Sequence, residues 1–169
     1  MASRPAPPEN PFHAGTIVTG EDFADRELDV ALLREELRQG GRVFLLAYRR
    51  FGKSCLIHET LRRLEAHDRA LTAYVDLYRA NSERELWELL ANALLAASHS
   101  PLKRLVAWAT EFARGFRPKF SVDPQTQQPV LTLDAPRSTA ELAEVREWAL
   151  RLPLQLAGER GRPVVVAFD

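Results

Sequence analysis

The sequence lacks several features that mark particular classes of protein. Its 169 residues include one cysteine, Cys55, so no disulfide can form within the chain, which suits a reducing environment. No apolar run approaches the ~20 residues needed to cross a bilayer. The 23 basic and 23 acidic side chains cancel, so attraction of the whole domain to nucleic acid is not indicated. These absences predict a cytoplasmic protein with no membrane partner.

The first eleven residues differ from the rest of the chain. Residues 1–11 contain four prolines and no apolar stretch, so they predict a flexible lead-in and not a signal peptide. Beyond them, the 46% apolar and 27% charged content of the whole chain is typical of globular proteins. Residues 12–169 are therefore expected to form one domain.

Helix and strand patterns alternate through the first half of this domain. They predict a helix over 26–39, a buried strand over 42–47, a helix over 53–66 and a strand over 70–77. Asp25 is the expected cap of the first helix, and Gly40 with Gly41 is expected to stop it. Strand, helix and strand in this order predict a parallel βαβ unit.

The second half repeats helical signals around a different segment. Capping-box pairs, Ser82 with Glu85 and Ser138 with Glu141, predict helices that run to about residues 98 and 152. A further helix is expected over 101–115, and Pro153 is expected to end or kink the last one. Residues 118–133 predict two short strands around a turn, which we interpret as a β-hairpin insertion.

The most informative motif lies between the strand over 42–47 and the helix that follows it. The run Ala47-Tyr48-Arg49-Arg50-Phe51-Gly52-Lys53-Ser54 fits the phosphate-loop pattern G-x-x-x-x-G-K-[ST], except that Ala47 replaces the first glycine. In such a loop, successive backbone N–H groups and the helix N-terminus surround the phosphates. Lys53 is then expected to reach the β- and γ-phosphates, and the Ser54 hydroxyl to bind Mg²⁺.

Simpler interpretations of these residues stay open. The loop could be a tight strand–helix turn that binds nothing. Arg49 and Arg50 could contact phosphate, pair with an acid elsewhere in a larger assembly, or point to solvent. Cys55, in the first turn of the helix, could serve only in packing. The four histidines do not cluster, and we interpret them as ordinary surface or helix residues.

A second candidate metal ligand stands at residue 169. The run Val164–Phe168 predicts another buried strand, and Asp169 follows it directly. P-loop ATPases place an aspartate in this position, where it holds Mg²⁺, generally through water. A strand that simply stops at a polar turn is the alternative.

Taken together, these segments resemble a known family. Gly15-x-x-Val18, Phe23-x-Asp25-Arg26-Glu27, the loop over 49–54, Tyr74-Val75-Asp76-Leu77 and the strand over 164–169 look like the archaeal-type P-loop ATPases of the AAA+ and STAND NTPase assemblage. The likeness runs from about residue 10 to residue 169. It implies a three-layer α/β/α fold with a parallel sheet, to which the hairpin near 118–133 is added.

The resemblance also implies roles for individual residues. An adenine pocket is expected to involve the segment from Val18 to Phe23, beside the 47–55 phosphate site. Arg26 and Glu27 are expected to open the helix that borders this pocket, although composition alone favours an ordinary charged helix start. Family members continue past the aspartate with a catalytic Glu, and a later strand lies between the phosphate-loop strand and the strand that carries the acid. The chain is therefore expected to be the front part of a longer ATPase domain.

Three functions follow as hypotheses from this sequence. The first is ATP binding, with Mg²⁺-dependent hydrolysis only in a longer parent protein, since no catalytic residue is assigned here. The second is a nucleotide-gated regulatory switch that acts on a protein or DNA partner. The third is an inactive gene fragment. ATP is the expected ligand; a protein partner or an oligomer stays open, and nucleic acid is expected only through further domains.

Overall fold

Four helices and four strands form the regular structure of the residues described. The structure is a computed structural model, and it describes residues 16–98, 118–122, 124, 129–134 and 138–169. The elements are α1 (Glu27–Arg38), α2 (Lys53–Asp68), β1 (Leu71–Val75), α3 (Glu83–Ser98), β2 (Pro118–Val122), β3 (Pro129–Leu133), α4 (Thr139–Arg160) and β4 (Val164–Phe168). Single turns of 3₁₀ helix lie at Gly20–Asp22 and Leu77–Arg79.

A two-stranded parallel sheet lies at the centre, with helices on both of its faces. β1 pairs with β4 in a register that runs from Leu71 opposite Val164 to Val75 opposite Phe168. Val165 and Ala167 pack against a cluster that includes α2. Val164 and Val166 pack on the opposite face, against α3 and α4. The alternation of side chains along a strand explains this division, and the α/β prediction is confirmed.

The first helix matches its prediction except at its start. α1 ends before Gly40, which adopts a φ of +80°, and the Gly41 N–H donates to the Glu36 carbonyl at 2.9 Å. Asp25 does not cap the helix, because it adopts a φ of +64° and Arg26 occupies the cap position without a side-chain cap bond. The left-handed conformation of Asp25 belongs to the bend that leads into the helix.

Residues 42–47 do not form the predicted strand. They carry no backbone hydrogen bond to any described residue, and β4 pairs only with β1 within the described part of the chain. A groove of about 640 Å³ lies between the 41–45 segment and β4. Phe44 and Leu46 are 93% and 92% exposed. The prediction of a strand buried on both faces is wrong, because none of the described strands pairs with this segment.

Both predicted capping bonds are present at the later helices. The Ser82 hydroxyl accepts from the Glu85 N–H at 3.3 Å, and the Ser138 hydroxyl accepts from the Glu141 N–H at 3.2 Å. Pro153 does not end the helix, since α4 continues to Arg160; the alternative, a kink at Pro153, stays a prediction. Leu152 and Leu156 are buried beside the proline, so tertiary packing holds the helix despite the missing N–H.

The predicted hairpin is confirmed by β2 and β3, which pair antiparallel. The predicted lead-in over 1–11 and the predicted helix over 101–115 lie outside the described residues. Of the helices that the structure describes, none combines the length and apolar character needed to cross a membrane.

Candidate functional site

The 47–54 loop turns sharply into α2 through two residues in left-handed conformation. Arg50 has a φ of +67°, and Gly52, the residue that caps α2, has a φ of +69°. The Phe51 N–H donates to the Tyr48 carbonyl at 3.2 Å, and the Leu56 N–H donates to the Gly52 carbonyl at 2.9 Å. A residue with a side chain would be strained at position 52, which gives the glycine of the motif a conformational reason.

Arg26 fastens this loop to the start of α1. Its Nη1 donates to the Phe51 carbonyl at 3.0 Å, and its Nε donates to Asp29 at 2.7 Å. The resemblance placed Arg26 at the border of the nucleotide pocket, but the contact with the loop backbone was not predicted. Spacing along the chain carries no signal for a contact across 25 residues.

The first turn of α2 opens into a cavity of about 850 Å³. Its lining combines the two ends of the loop with the segment before α1, namely Thr16, Ile17, Ala47, Tyr48, Arg49, Arg50, Gly52, Lys53, Ser54 and Cys55. No side chain caps this helix, and the first N–H groups of a helix have no partner within it. Together with the helix dipole and Lys53, they make the cavity attractive to an anion.

The two predicted metal-binding residues meet beside this cavity, which Ser54 lines. The Ser54 hydroxyl donates to Oδ2 of Asp169 at 2.5 Å, although 115 residues separate the two. The Lys53 ammonium forms an ion pair with Oδ1 of the same carboxylate. Asp169 is held in place by the main chain, since its N–H donates to Val75 and its carbonyl accepts from Leu77.

Tyr74 is a further member of this cluster. Its hydroxyl donates to Oδ2 of Asp169 at 2.9 Å, and its ring lies 4.1 Å from the ring of His58. Burial, followed by the charge of Asp76, raises the pKa of Tyr74, so the hydroxyl keeps its proton at neutral pH. Burial lowers the pKa of His58, which is therefore neutral there.

The sequence contains a weak signal for Tyr74. Its position alternates with buried residues of β1, close to the carboxyl end of the strand. A tyrosine placed there has an apolar ring against the core and a polar tip that needs a partner.

Glu59 joins three segments around the site from inside the protein. Its side chain is 0% exposed, and it accepts from the Gly20 N–H at 2.8 Å as well as from Arg62 and Arg63. Arg63 also donates to Glu27 of α1. The bond from Arg62 and those from Gly20 and Arg63 outweigh burial and lower the pKa of Glu59 to about 2. Sequence reasoning missed this residue.

Of the residues expected at an adenine pocket, the structure brings neither Val18 nor Phe23 to the cavity lining. Phe23 is buried against Val30 and Leu56. The Val18 N–H contacts the Cys55 sulfur at 3.4 Å, beside the cavity. Thr16 and Ile17 form the corresponding wall instead.

The donors at the site suit one hard cation better than a soft one. The described residues contain no group of three or more His, Cys, Asp or Glu side chains that could hold a metal. Mg²⁺ needs no such group, because it is usually bound by one or two protein oxygens, substrate phosphates and water. Ser54 and Asp169 supply two converging oxygens of this kind.

The chain has no match among protein families, curated proteins or solved structures. The resemblance to the AAA+ and STAND ATPases therefore stays a prediction from the residues.

Proposed function

We propose that this protein binds ATP together with Mg²⁺ at the 47–55 segment and Asp169. In this proposal, the phosphates occupy the cavity at the first turn of α2, where backbone N–H groups and Lys53 bind them. Arg49 and Arg50, which are exposed at the cavity, are available to the outer phosphate oxygens. The choice of ATP over other nucleoside triphosphates comes from the family resemblance alone.

The observation that supports this function best is the contact of Lys53 and Ser54 with Asp169. The phosphate-loop motif, taken together with the acid after the Val164–Phe168 strand, predicts one shared site. The loop at the start of α2 and the acid after β4 are brought together in the structure. A strand that merely stops at a polar turn gives no reason for this meeting.

The residues that would hold Mg²⁺ are Ser54 and Asp169. When bound, the ion supplies positive charge that offsets the charge of the β- and γ-phosphates. Ser54 would present its hydroxyl oxygen and Asp169 a carboxylate oxygen. Lys53 would then exchange its ion pair with Asp169 for the phosphates.

Binding, and not cleavage, is the function that we assign. Hydrolysis needs a residue that orients or activates the attacking water. Asp76 and Asp169 are the residues that directly follow β1 and β4. In the proposed complex Asp169 would be committed to Mg²⁺, and Asp76 already accepts from the Tyr78 N–H.

A titration with a fluorescent ATP analogue in the presence of Mg²⁺ tests the proposal. Replacing Lys53 with alanine should weaken binding roughly 10- to 100-fold, because a hydrogen bond to a charged group contributes about 1.5–3 kcal/mol. Lys119→Ala is the matched control, since Lys119 pairs with Asp134 on the hairpin. Its affinity should equal that of the wild type.

The outcome that contradicts the proposal is equal affinity of the wild type and Lys53→Ala in folded samples. Competition by unlabelled ATP and GTP then measures the base preference. Release of phosphate by the wild type would contradict the restriction to binding.

A further inference from the structure

The carboxylate of Asp169 has more donors than a bound nucleotide would leave in place. Oδ1 receives Lys53, and Oδ2 receives both Ser54 and Tyr74. Its side chain is only 9% exposed, so water contributes little to its solvation. In the nucleotide complex proposed above, Lys53 turns to phosphate and Ser54 to the metal. Tyr74 is then the donor that is left to the carboxylate.

The position of Tyr74 is fixed independently of the site. Its backbone lies within β1, opposite Ala167 of β4. Its ring packs with the core cluster of Leu61 and Leu64, and against the ring of His58 on α2. The hydroxyl therefore reaches Asp169 from a rigid strand and not from a loop.

We propose that Tyr74 is a positioning residue that orients the carboxylate of Asp169 for Mg²⁺. The hydrogen bond to Oδ2 fixes the orientation of the carboxylate, whose other oxygen, Oδ1, lies on the Lys53 side of the site. This inference rests on the proposed function, because it concerns the same cation. Partners that orient a metal-binding carboxylate in this way typically change metal affinity by about 10- to 100-fold.

The substitution Tyr74→Phe removes the hydroxyl and keeps the ring that packs on His58. The experiment measures binding of the fluorescent ATP analogue as a function of Mg²⁺ concentration. In Tyr74→Phe, half-saturation of analogue binding should require at least roughly 10-fold more Mg²⁺ than in the wild type. Affinity in the presence of EDTA should equal that of the wild type, since the hydroxyl does not contact the nucleotide. Tyr78→Phe is the matched control, because the Tyr78 side chain is 95% exposed.

A double-mutant cycle with Asp169→Asn separates positioning from a general structural effect. If Tyr74 acts through Asp169, Tyr74→Phe should cause no further shift in the Mg²⁺ requirement once the carboxylate is an amide. Additive shifts would overturn the inference. Thermal unfolding of each variant is followed as well, and loss of the fold in Tyr74→Phe would overturn it too, since the hydroxyl would then serve the sheet.

The two proposals fail in different ways. If the wild type and Lys53→Ala bind the analogue equally, both proposals fall. If binding depends on Lys53 while Tyr74→Phe and Tyr78→Phe have the same Mg²⁺ requirement as the wild type, only the role of Tyr74 falls.

Discussion

Glu59 is a buried carboxylate whose charge is balanced by arginines from its own helix. Its partners are Arg62, Arg63 and the Gly20 N–H, so every contact favours the ionised form. A buried charge is destabilising unless it is paired and hydrogen-bonded. Because Gly20 and Glu27 both join this network, the segment before α1 and α1 itself are held against α2.

The folded protein should therefore lose stability in acid through Glu59. Its pKa is about 2 in the folded protein against an ordinary value of 4.5. Its contribution is complete above pH about 4.5 and declines as the pH falls toward 2, where the folded form is protonated as well. The substitution Glu59→Gln should reduce the free energy of unfolding at neutral pH by roughly 3 kcal/mol. Urea unfolding between pH 2 and 7 measures both effects.

Glu147→Gln is the control for this experiment, since Glu147 forms an exposed pair with Arg151. Its unfolding free energy should follow the wild type at every pH. A Glu59→Gln protein with the same acid sensitivity as the wild type would refute the assignment.

The candidate site was predictable where a residue type has a fixed place in a motif. Lys53 and Ser54 follow from the loop pattern, and Asp169 follows from the apolar run before it. Tyr74 and Glu59 were not predictable in the same way. Their partners are distant in sequence, and only the folded chain brings the Tyr74 hydroxyl or the Gly20 N–H within reach.

At the scale of elements, α3 serves as the neighbour of β3 in place of a third strand. The Asn92 amide accepts from the Leu131 N–H at 2.7 Å and donates to the Leu131 carbonyl at 2.9 Å. One turn earlier, Glu88 accepts from the Leu133 N–H at 2.6 Å. Glu88 and Asn92 are four residues apart and lie on the same face of α3. Leu131 and Leu133 are two residues apart and lie on the same side of β3, so each helix residue meets one strand residue. Side chains thus satisfy a strand edge that has no neighbouring strand among the described residues.

The substitution Asn92→Ala should loosen the hairpin from α3. It removes the side-chain partner of both backbone groups of the buried Leu131, at a cost of about 1–3 kcal/mol for each group left unsatisfied. Hydrogen exchange should show faster exchange of the Leu131 amide, and denaturant unfolding should show the lower stability. Asn81→Ala, at the exposed start of α3, should change neither. Unchanged protection at Leu131 in Asn92→Ala would contradict this account of docking.

Elements were predictable from the sequence when their signals were local. The capping serines 82 and 138 mark the starts of α3 and α4, and Gly40 marks the end of α1. The prediction of a strand over 42–47 was wrong because a strand forms only when it pairs with a neighbouring strand. The periodicity of a sequence does not show whether such a neighbour is present. α4 continues through Pro153 because the burial of Leu152 and Leu156 outweighs the loss of one backbone hydrogen bond.

Among the described residues, two backbone edges without a pairing strand face each other across an apolar groove. One is the 42–46 segment and the other is the free side of β4. Val165 and Ala167 of β4 line this groove together with Leu37 and Ile57. Natural sheets usually protect such edges with charges, prolines or covering elements. Of these devices, the described part of this chain places two charged side chains, Arg42 and Lys53, beside the groove.

This arrangement should make the protein associate with itself as its concentration rises. Phe44 and Leu46 project into solvent beside the open edge of β4, and exposed apolar residues at an unpaired edge favour intermolecular pairing. The double substitution Phe44→Lys and Leu46→Lys should keep the protein monomeric without loss of stability, because neither side chain is buried and added edge lysines repel one another. Sedimentation velocity over a range of concentrations measures the difference.

Leu154→Lys, at a 75% exposed position of α4 away from the groove, is the control and should associate like the wild type. If Leu154→Lys suppressed association as well as the edge substitutions do, general surface hydrophobicity would be the cause, and the open edges would not.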